Sequence, residues 1–161
     1  MTTNRPDDPR ITAYGLLTET YTGLSARISA QLDEHKLSLV EFDVLLRLAR
    51  TPGNALRMTD LAAQTTLSTS GVTRVVDRME RDGLLDRRAC PEDRRGSFAV
   101  ITKAGLHRLE EALPGHLTTI EHWFTGQLDP AALESLLDGL RTLRDAVHPG
   151  ATSGSLTAGE C

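Results

Sequence analysis

The chain has 161 residues, of which 39% are hydrophobic, and this length is typical of one domain with its own core. No apolar run approaches the ~20 residues of a membrane-spanning helix, and the polar first ten residues exclude a signal peptide, so we expect a cytoplasmic protein without a membrane partner. The net charge is -4, but residues 68–103 carry a net +2 and residues 104–161 a net -5. We therefore expect residues 68–103, and not the C-terminal part of the chain, to face a negatively charged partner.

The first predicted element is a long helix that follows a flexible, polar segment of nine residues, 1–9. Apolar residues recur along this helix at helical spacing and form one stripe. The stripe contains Ile11, Tyr14, Leu17, Tyr21, Leu24, Ile28 and Leu32. It is long for a single small core, so we expect it to pack against a second copy of the chain.

Two short helices joined by a tight turn are predicted next. Thr59 can cap a helix from Asp60 to Gln64, and Thr65 and Thr66 then interrupt the helical pattern. Leu67 can fill the turn against the core. A short helix and a short turn before an amphipathic helix are typical of a helix-turn-helix.

The second of these helices carries the most information. Ser68 can cap it, and Gly83 can end it in a left-handed conformation. One face is apolar, with Val72, Val75, Val76 and Met79. Small hydroxyls near its start allow close approach to the major groove, and Arg74 can reach a guanine or a phosphate. The opposite face and its flanks hold the predicted DNA contacts, which are Ser68, Thr69, Ser70, Thr73, Arg74, Asp77 and Arg78.

A β-hairpin is predicted after this helix, with strands over residues 84–90 and 97–102 and a turn over residues 91–96. Its tip contains Asp93, Arg94 and Arg95. An arginine at a hairpin tip beside such a helix can enter the minor groove, where the negative potential is strongest. We hypothesise that Arg95 enters the groove and that Asp93 orients it through a charge-assisted hydrogen bond.

Two helices are predicted in the remaining chain. Thr102 can cap a long helix to Phe124, with a kink or break at Pro114-Gly115. Asp129-Pro130 is a good cap and first-turn pair for a last helix. That helix has an apolar stripe of Leu133, Leu136, Leu137, Leu140, Leu143 and Val147. With the first helix it predicts a homodimer, whose recognition helices would read half-sites one DNA turn apart.

These motifs together resemble the MarR (multiple antibiotic resistance regulator) family. LSLVEFDVLLRLAR resembles the family's second helix, MTDLAAQTTLSTSGVTRVVDRMERDGLLDRR its helix-turn-helix, and PEDRRGSFAVITKAG its wing. The resemblance is clear over residues 37–113 and looser over residues 10–147. It implies a mainly α winged helix-turn-helix with a small β-hairpin wing and flanking dimerisation helices. The expected domain covers residues 10–148, with a core at 37–102 and a flexible tail at 149–161.

The resemblance also implies a transcriptional regulator that binds double-stranded DNA at a palindromic operator. Such proteins usually repress, and a small ligand or oxidation usually releases them. A phenolic or anionic aromatic effector would bind where the dimer helices meet the winged-helix core. Asp43 lies among apolar residues, and a buried carboxylate must be paired or protonated. The candidate lining residues are Tyr21, His35, Phe42, Asp43 and Leu46.

Two alternatives remain open. Cys90 follows Arg87 and Arg88, which can lower the pKa of a thiol, so the chain could be a redox-sensing regulator. A winged helix can also be a protein-interaction module. His107 and Glu111 are one helical turn apart, but no further metal ligand is obvious, so we expect no metal and no cofactor. No phosphate loop or nucleophile elbow is present, and we expect no enzymatic activity.

Overall fold

The computed structural model describes residues 6–65, 67–90 and 96–151. It is mainly helical with one small antiparallel sheet, which confirms the predicted fold class. No helix in these ranges is long and apolar enough to cross a membrane. The elements are α1 (Pro9–Asp33), α2 (Leu39–Arg50), β1 (Ala55–Arg57), α3 (Met58–Gln64), α4 (Thr69–Arg81), β2 (Leu85–Ala89), β3 (Ser97–Ile101), α5 (Lys103–Trp123) and α6 (Pro130–Val147).

Helix α4 forms where the sequence predicts it, with the predicted caps. The Ser68 hydroxyl accepts a hydrogen bond from the Gly71 N–H at 3.1 Å, and Gly83 follows the helix with a φ of +73°. The four apolar residues of its stripe are all buried, and they pack in one core with residues of α2, α3, the sheet and α5. The stripe therefore fixes which face of α4 points away from the core.

The first helix of the helix-turn-helix begins earlier than predicted. Helix α3 starts at Met58 and ends at Gln64, and the capping position is Arg57, which makes no side-chain cap. The prediction that Thr59 caps this helix is therefore wrong. The reason is that β1 ends at Arg57 and the chain passes directly from strand to helix. Thr66, in the turn, lies outside the described residues.

The wing is a hairpin to which a third strand is added. β2 and β3 pair antiparallel from Leu85 opposite Ile101 to Ala89 opposite Ser97. Both strands are slightly shorter than predicted. β1 pairs with the other edge of β3, which the sequence analysis missed because three residues are too few for a period-two pattern. The sheet order β1-β3-β2 joins the wing to the start of the helix-turn-helix.

Helix α5 starts immediately after β3, at a point of close contact with the end of α4. As predicted, Thr102 caps it, because the Thr102 hydroxyl accepts from the Gly105 N–H at 3.0 Å. The same hydroxyl donates to the Gly83 carbonyl at 2.7 Å. A Cβ atom at Gly105 would lie only 2.2 Å from the Leu84 carbonyl oxygen. Glycine at this position therefore lets α5 approach the backbone between α4 and β2.

The structure has no break at Pro114-Gly115, where the sequence predicts a kink or a break. α5 is one helix from Lys103 to Trp123, with Pro114 inside it. A proline removes a single N–H, and here at least two turns of helix on each side continue the hydrogen-bond pattern. Pro114 is exposed, so its ring needs no space in the core. The helix therefore links the wing to the far end of the molecule without interruption.

Helices α1 and α6 leave much of their apolar stripes uncovered. Of the α1 stripe only Leu32 is buried, and α6 has no buried residue, although Asp129 and Pro130 begin it as predicted. The two helices line a groove of about 590 Å³, together with Phe124. The large apolar side chains that are exposed on the two helices are Ile11, Tyr14, Leu16, Leu17, Tyr21, Leu136, Leu143 and Val147. Apart from Leu32 and Ile28 at the end of α1, these stripes lie outside the core of the single chain.

We expect Gly105→Ala to lower the free energy of unfolding by about 1–3 kcal/mol, because the added methyl collides with backbone that cannot move aside. Chemical denaturation followed by circular dichroism measures this change. Gly23→Ala is the matched control, since Gly23 lies inside α1 with open space around it. The control is expected to be neutral or to gain up to about 1 kcal/mol. Equal effects of the two substitutions would contradict the close contact.

Candidate nucleic-acid interface

The exposed surface of α4 carries most of the predicted DNA contacts. Ser68, Thr69, Ser70 and Arg74 are exposed, and Thr73 is half-buried. The Ser68 oxygen is used as the helix cap. The Arg74 Nε donates to the Ser70 carbonyl at 3.4 Å, and Arg74 forms no ion pair with any described residue. The start of α4 thus presents hydroxyls and a guanidinium to solvent.

Arg78 is held by the neighbouring helix α2. Its Nε donates to the Glu41 Oε1 at 2.7 Å. Glu41 is 9% exposed, and its other oxygen accepts from the Ser38 N–H at 2.8 Å and the Ser38 hydroxyl at 2.7 Å. One carboxylate therefore both caps α2 and binds α4. The structure places Arg78, predicted as a DNA contact, in this support.

The charge of Glu41 is favoured by its hydrogen bonds. Burial raises the pKa of the Glu41 carboxyl, but the hydrogen bonds from Ser38 and Arg78 outweigh burial and hold the pKa below its ordinary value. Glu41 is therefore ionised at neutral pH. The ion pair joins α4 to an anion in the first turn of α2, where the helix dipole favours negative charge.

Asp77 is paired with an arginine of the wing. The Arg87 Nη2 on β2 donates to the Asp77 Oδ1, and it also donates to the Thr73 carbonyl at 3.3 Å. The Arg87 Nε lies 3.8 Å from the Glu80 Oε2. This role of Arg87 could not be predicted, because nothing in a strand pattern shows which helix a side chain will contact. Asp77, predicted as a DNA contact, is thus an ion-pair partner.

The tip of the wing lies outside the described residues, and so do the predicted contacts Asp93, Arg94 and Arg95. The base of the wing is described. The Cys90 N–H donates to the Gly96 carbonyl at 3.0 Å, so the two strands are still paired next to the turn.

The five predicted effector residues are not gathered in one place. Tyr21 is 70% exposed and lines the groove between α1 and α6. His35 lies fourteen residues further along α1 and the turn after it, about 20 Å away at the rise of a helix. Leu46 packs against the core, and Asp43 is 41% exposed and paired with Arg47 at 2.9 Å. The apolar surroundings predicted for Asp43 are thus only partial.

Phe42 lies in a different environment, where α1, α2 and α5 meet. It is 3% exposed, and its ring centroid is 4.3 Å from that of His116. The His116 Nδ1 and the Gln31 Oε1 are buried without a hydrogen-bond partner among the described residues. Burial lowers the pKa of His116, so its ring is neutral at pH 7. Isolated Gln and His residues give no sequence signal, which is why both were missed.

The residues considered for redox sensing and for metal binding lie in different surroundings. Cys90 is 3% exposed, and the Arg57 Nη2 lies 3.9 Å from its Sγ. Cys161 lies outside the described residues, and a redox role stays a prediction. His107 Nδ1 is 3.3 Å from Glu111 Oε2 on an exposed face of α5. Within the described ranges no three His, Cys, Asp or Glu side chains are grouped to hold a metal ion.

The winged helix-turn-helix region of this chain has known relatives. A model of the MarR family matches residues 35–96. The transcriptional regulator MhqR of Bacillus subtilis (strain 168) is 31% identical over 106 residues, which cover 66% of this chain and 72% of MhqR. The chain belongs to the MarR family. The resemblance found in the sequence is thereby confirmed.

Solved MarR structures share the whole architecture. Sco3205 of Streptomyces coelicolor, solved in complex with DNA, has a TM-score of 0.84 and 26% identity, covering 97% of this chain and 99% of Sco3205. The DNA binding of BpsR of Bordetella bronchiseptica is regulated by 6-hydroxynicotinic acid. Its structure has a TM-score of 0.74 and 26% identity, and the match covers 83% of this chain and 99% of BpsR. This MarR protein is a DNA-binding transcriptional regulator and not an enzyme.

The support of α4 by Glu41 predicts a pH-dependent loss of stability. Because the pKa of Glu41 is lowered on folding, its ionised form stabilises the fold above the pKa of the unfolded chain. This stabilisation is lost as the pH falls through the lowered pKa. Glu41→Gln keeps the shape but removes the charge, so we expect a loss of about 1–2 kcal/mol at pH 7 that vanishes in acid, measured by denaturation at several pH values.

Asp43→Asn is the matched control for this prediction. It removes a carboxylate from the same helix, but one in an exposed pair with Arg47. Such a pair contributes about 0.3–0.5 kcal/mol. Equal losses for the two variants at pH 7, or a Glu41→Gln loss that persists in acid, would show that the Glu41 charge does not support α4.

Proposed function

We propose that this MarR regulator is a homodimeric repressor that binds a palindromic operator through α4 and the wing. A small phenolic or anionic aromatic ligand releases it. The observation that supports this most is the exposed start of α4. Thr69, Ser70 and Arg74 lie there on or beside the surface of a helix whose opposite face is buried in the core. Helix starts favour phosphate, and short hydroxyls let the helix enter the groove closely.

Arg74 is the proposed base-reading residue. The arginines Arg78 and Arg87 are each engaged by carboxylates, whereas Arg74 makes no ion pair with the described residues. Its guanidinium can donate two hydrogen bonds to the O6 and N7 of a guanine. Thr69, Ser70 and Thr73 are proposed to contact the backbone or base edges beside it, and Arg95 at the wing tip to enter the minor groove. Asp77 and Arg78 are proposed to support the helix instead.

The uncovered stripes of α1 and α6 support the homodimer. A single chain leaves these leucines and tyrosines exposed, and contiguous apolar surface of this kind marks an interface. Acidic residues are concentrated in the C-terminal helices, so a dimer built from them keeps its negative charge away from α4. Two copies of α4 would then face successive major grooves, about 34 Å apart.

The effector is proposed to bind beside Phe42, His116 and Gln31. Two buried polar atoms without partners are costly, and a ligand that hydrogen-bonds to them recovers that cost. A hydroxylated aromatic acid can donate its hydroxyl to the Gln31 Oε1 and place its ring against Phe42. The regulation of BpsR by 6-hydroxynicotinic acid supports this ligand class.

Specific DNA binding is tested with a duplex selected from a random library by the full-length protein. Fluorescence anisotropy at physiological salt is expected to show tight, saturable binding to this duplex and weak binding to a scrambled one. Arg74→Ala is expected to lose about 1–3 kcal/mol of discrimination against single base changes. A wild-type protein that binds both duplexes equally would overturn the proposal.

The matched control for Arg74 is Arg81, which lies on the same side of the same helix two turns later. Arg81→Ala removes the same charge from a position further from the start of α4. We expect it to leave the discrimination between cognate and altered duplexes unchanged. A similar loss for both variants would mean that the arginines of α4 contribute to DNA binding only through their positive charge.

The effector site is tested with a panel of hydroxylated aromatic acids that includes 6-hydroxynicotinic acid. At least one member is expected to release the selected duplex. His116→Phe keeps a ring against Phe42 but removes both nitrogens, so we expect normal DNA binding and at least a tenfold higher ligand concentration for release. Release of His116→Phe at the wild-type ligand concentration would exclude this site, as would a panel without any active member.

A further inference from the structure

Arg87 contacts three successive turns of the recognition helix from the wing. It donates to the Thr73 carbonyl at 3.3 Å, pairs with the Asp77 carboxylate, and lies 3.8 Å from the Glu80 carboxylate. Its own backbone N–H donates to the Glu80 Oε1 at 3.3 Å. Residues at these spacings lie on one side of a helix. Both the backbone and the side chain of Arg87 therefore bind the same edge of α4.

The strand that carries Arg87 is fixed in the sheet. Arg87 is opposite Ala99 of β3, and Ala99 is fully buried. The Arg87 side chain is 30% exposed, so its pair with Asp77 is partly shielded from water. A guanidinium is planar, and its donors have fixed directions, which makes such a contact sensitive to rotation of the helix. The contact thus couples the orientation of α4 to the wing.

Arg87 also changes what Asp77 does on a DNA-facing helix. A free carboxylate there would repel the phosphates of the DNA backbone, because like charges brought close together raise the energy of the complex. The Arg87 guanidinium offsets the charge of the Asp77 carboxylate and ties it to the strand. This explains why an acidic residue lies in the middle of the proposed recognition surface.

We propose that Arg87 is a positioning residue that fixes the angle between α4 and the wing. With that angle set, α4 lies in a major groove while the wing tip reaches the adjacent minor groove. Arg87 itself contacts no DNA. This inference rests on the proposed docking of α4, and it assigns the alignment of the two DNA-binding elements to one side chain.

The test is a double-mutant cycle on the full-length protein with Arg87→Gln, Asp77→Asn and both together, using the selected duplex. Arg87→Gln is expected to weaken binding about tenfold in the wild-type background, and to have little further effect in a protein that already carries Asp77→Asn. The slope of affinity against salt is expected to match that of the wild type, since no phosphate contact is lost. Circular dichroism at the assay temperature verifies that each variant is folded.

Arg88→Gln is the matched control, because Arg88 is the next residue of β2 and is exposed on the other side of the strand. Its effect is expected to be the same with and without the Asp77→Asn substitution, whatever its size. The inference is overturned if Arg87→Gln lowers the salt slope by about one, if its effect is equal in both backgrounds, or if it leaves affinity unchanged. A wild-type protein that does not discriminate between duplexes overturns the proposed docking first, and the inference with it.

Discussion

The orientation of α4 depends on directional charge contacts that come from two different elements. Its valine stripe buries it in the core, but apolar contacts are non-directional and fix a helix less finely about its own axis. Glu41 of α2 binds Arg78, and Arg87 of β2 binds Asp77, the residue just before it. Since neighbouring residues on a helix point in directions about 100° apart, the two contacts restrain rotation in both senses. The valine stripe thus sets which face of α4 is exposed, and the two contacts hold the sides of the helix.

This arrangement divides the arginines of the region into two groups. Arg78 and Arg87 donate to carboxylates within the chain, whereas Arg74 keeps its guanidinium at the surface. Counting charges in the sequence of this region would treat the three arginines alike. The structure separates them by the elements that lie beside each one. A modest local excess of positive charge is compatible with DNA binding, because some arginines support the fold and others remain at the surface to contact DNA.

Much of the fold could be predicted from local signals. The serine cap, the valine stripe and the closing glycine of α4 act within one helix, and so does the threonine cap of α5. Strand β1 could not be predicted, because three residues form a strand only where β3 already offers an edge. Of the kink or break predicted at Pro114, the break does not occur, because the surrounding helix outweighs one missing hydrogen bond.

The candidate site was harder to predict, for a related reason. The pair of Glu41 and Arg78 joins residues 37 positions apart, and the contact of Gln31 with Ala112 spans 81. No sequence period connects such residues. Their roles depend on tertiary packing, so the sequence could name Arg78 and Asp77 as polar residues of the right face but not as supports.

Because α5 is one continuous helix, it can carry a movement from one end of the molecule to the other. A helix of 21 residues is about 32 Å long, so a tilt of 5° at one end moves the other end by roughly 3 Å. Phe42 of α2 touches this helix near its middle, at His116, and Gly105 lets the first turn of the helix lie against the backbone between α4 and β2. Had Pro114 made a hinge, a displacement at the aromatic pair could dissipate there. Without one, a displacement at Phe42 and His116 is carried along α5 to the start of the helix, beside α4 and the wing.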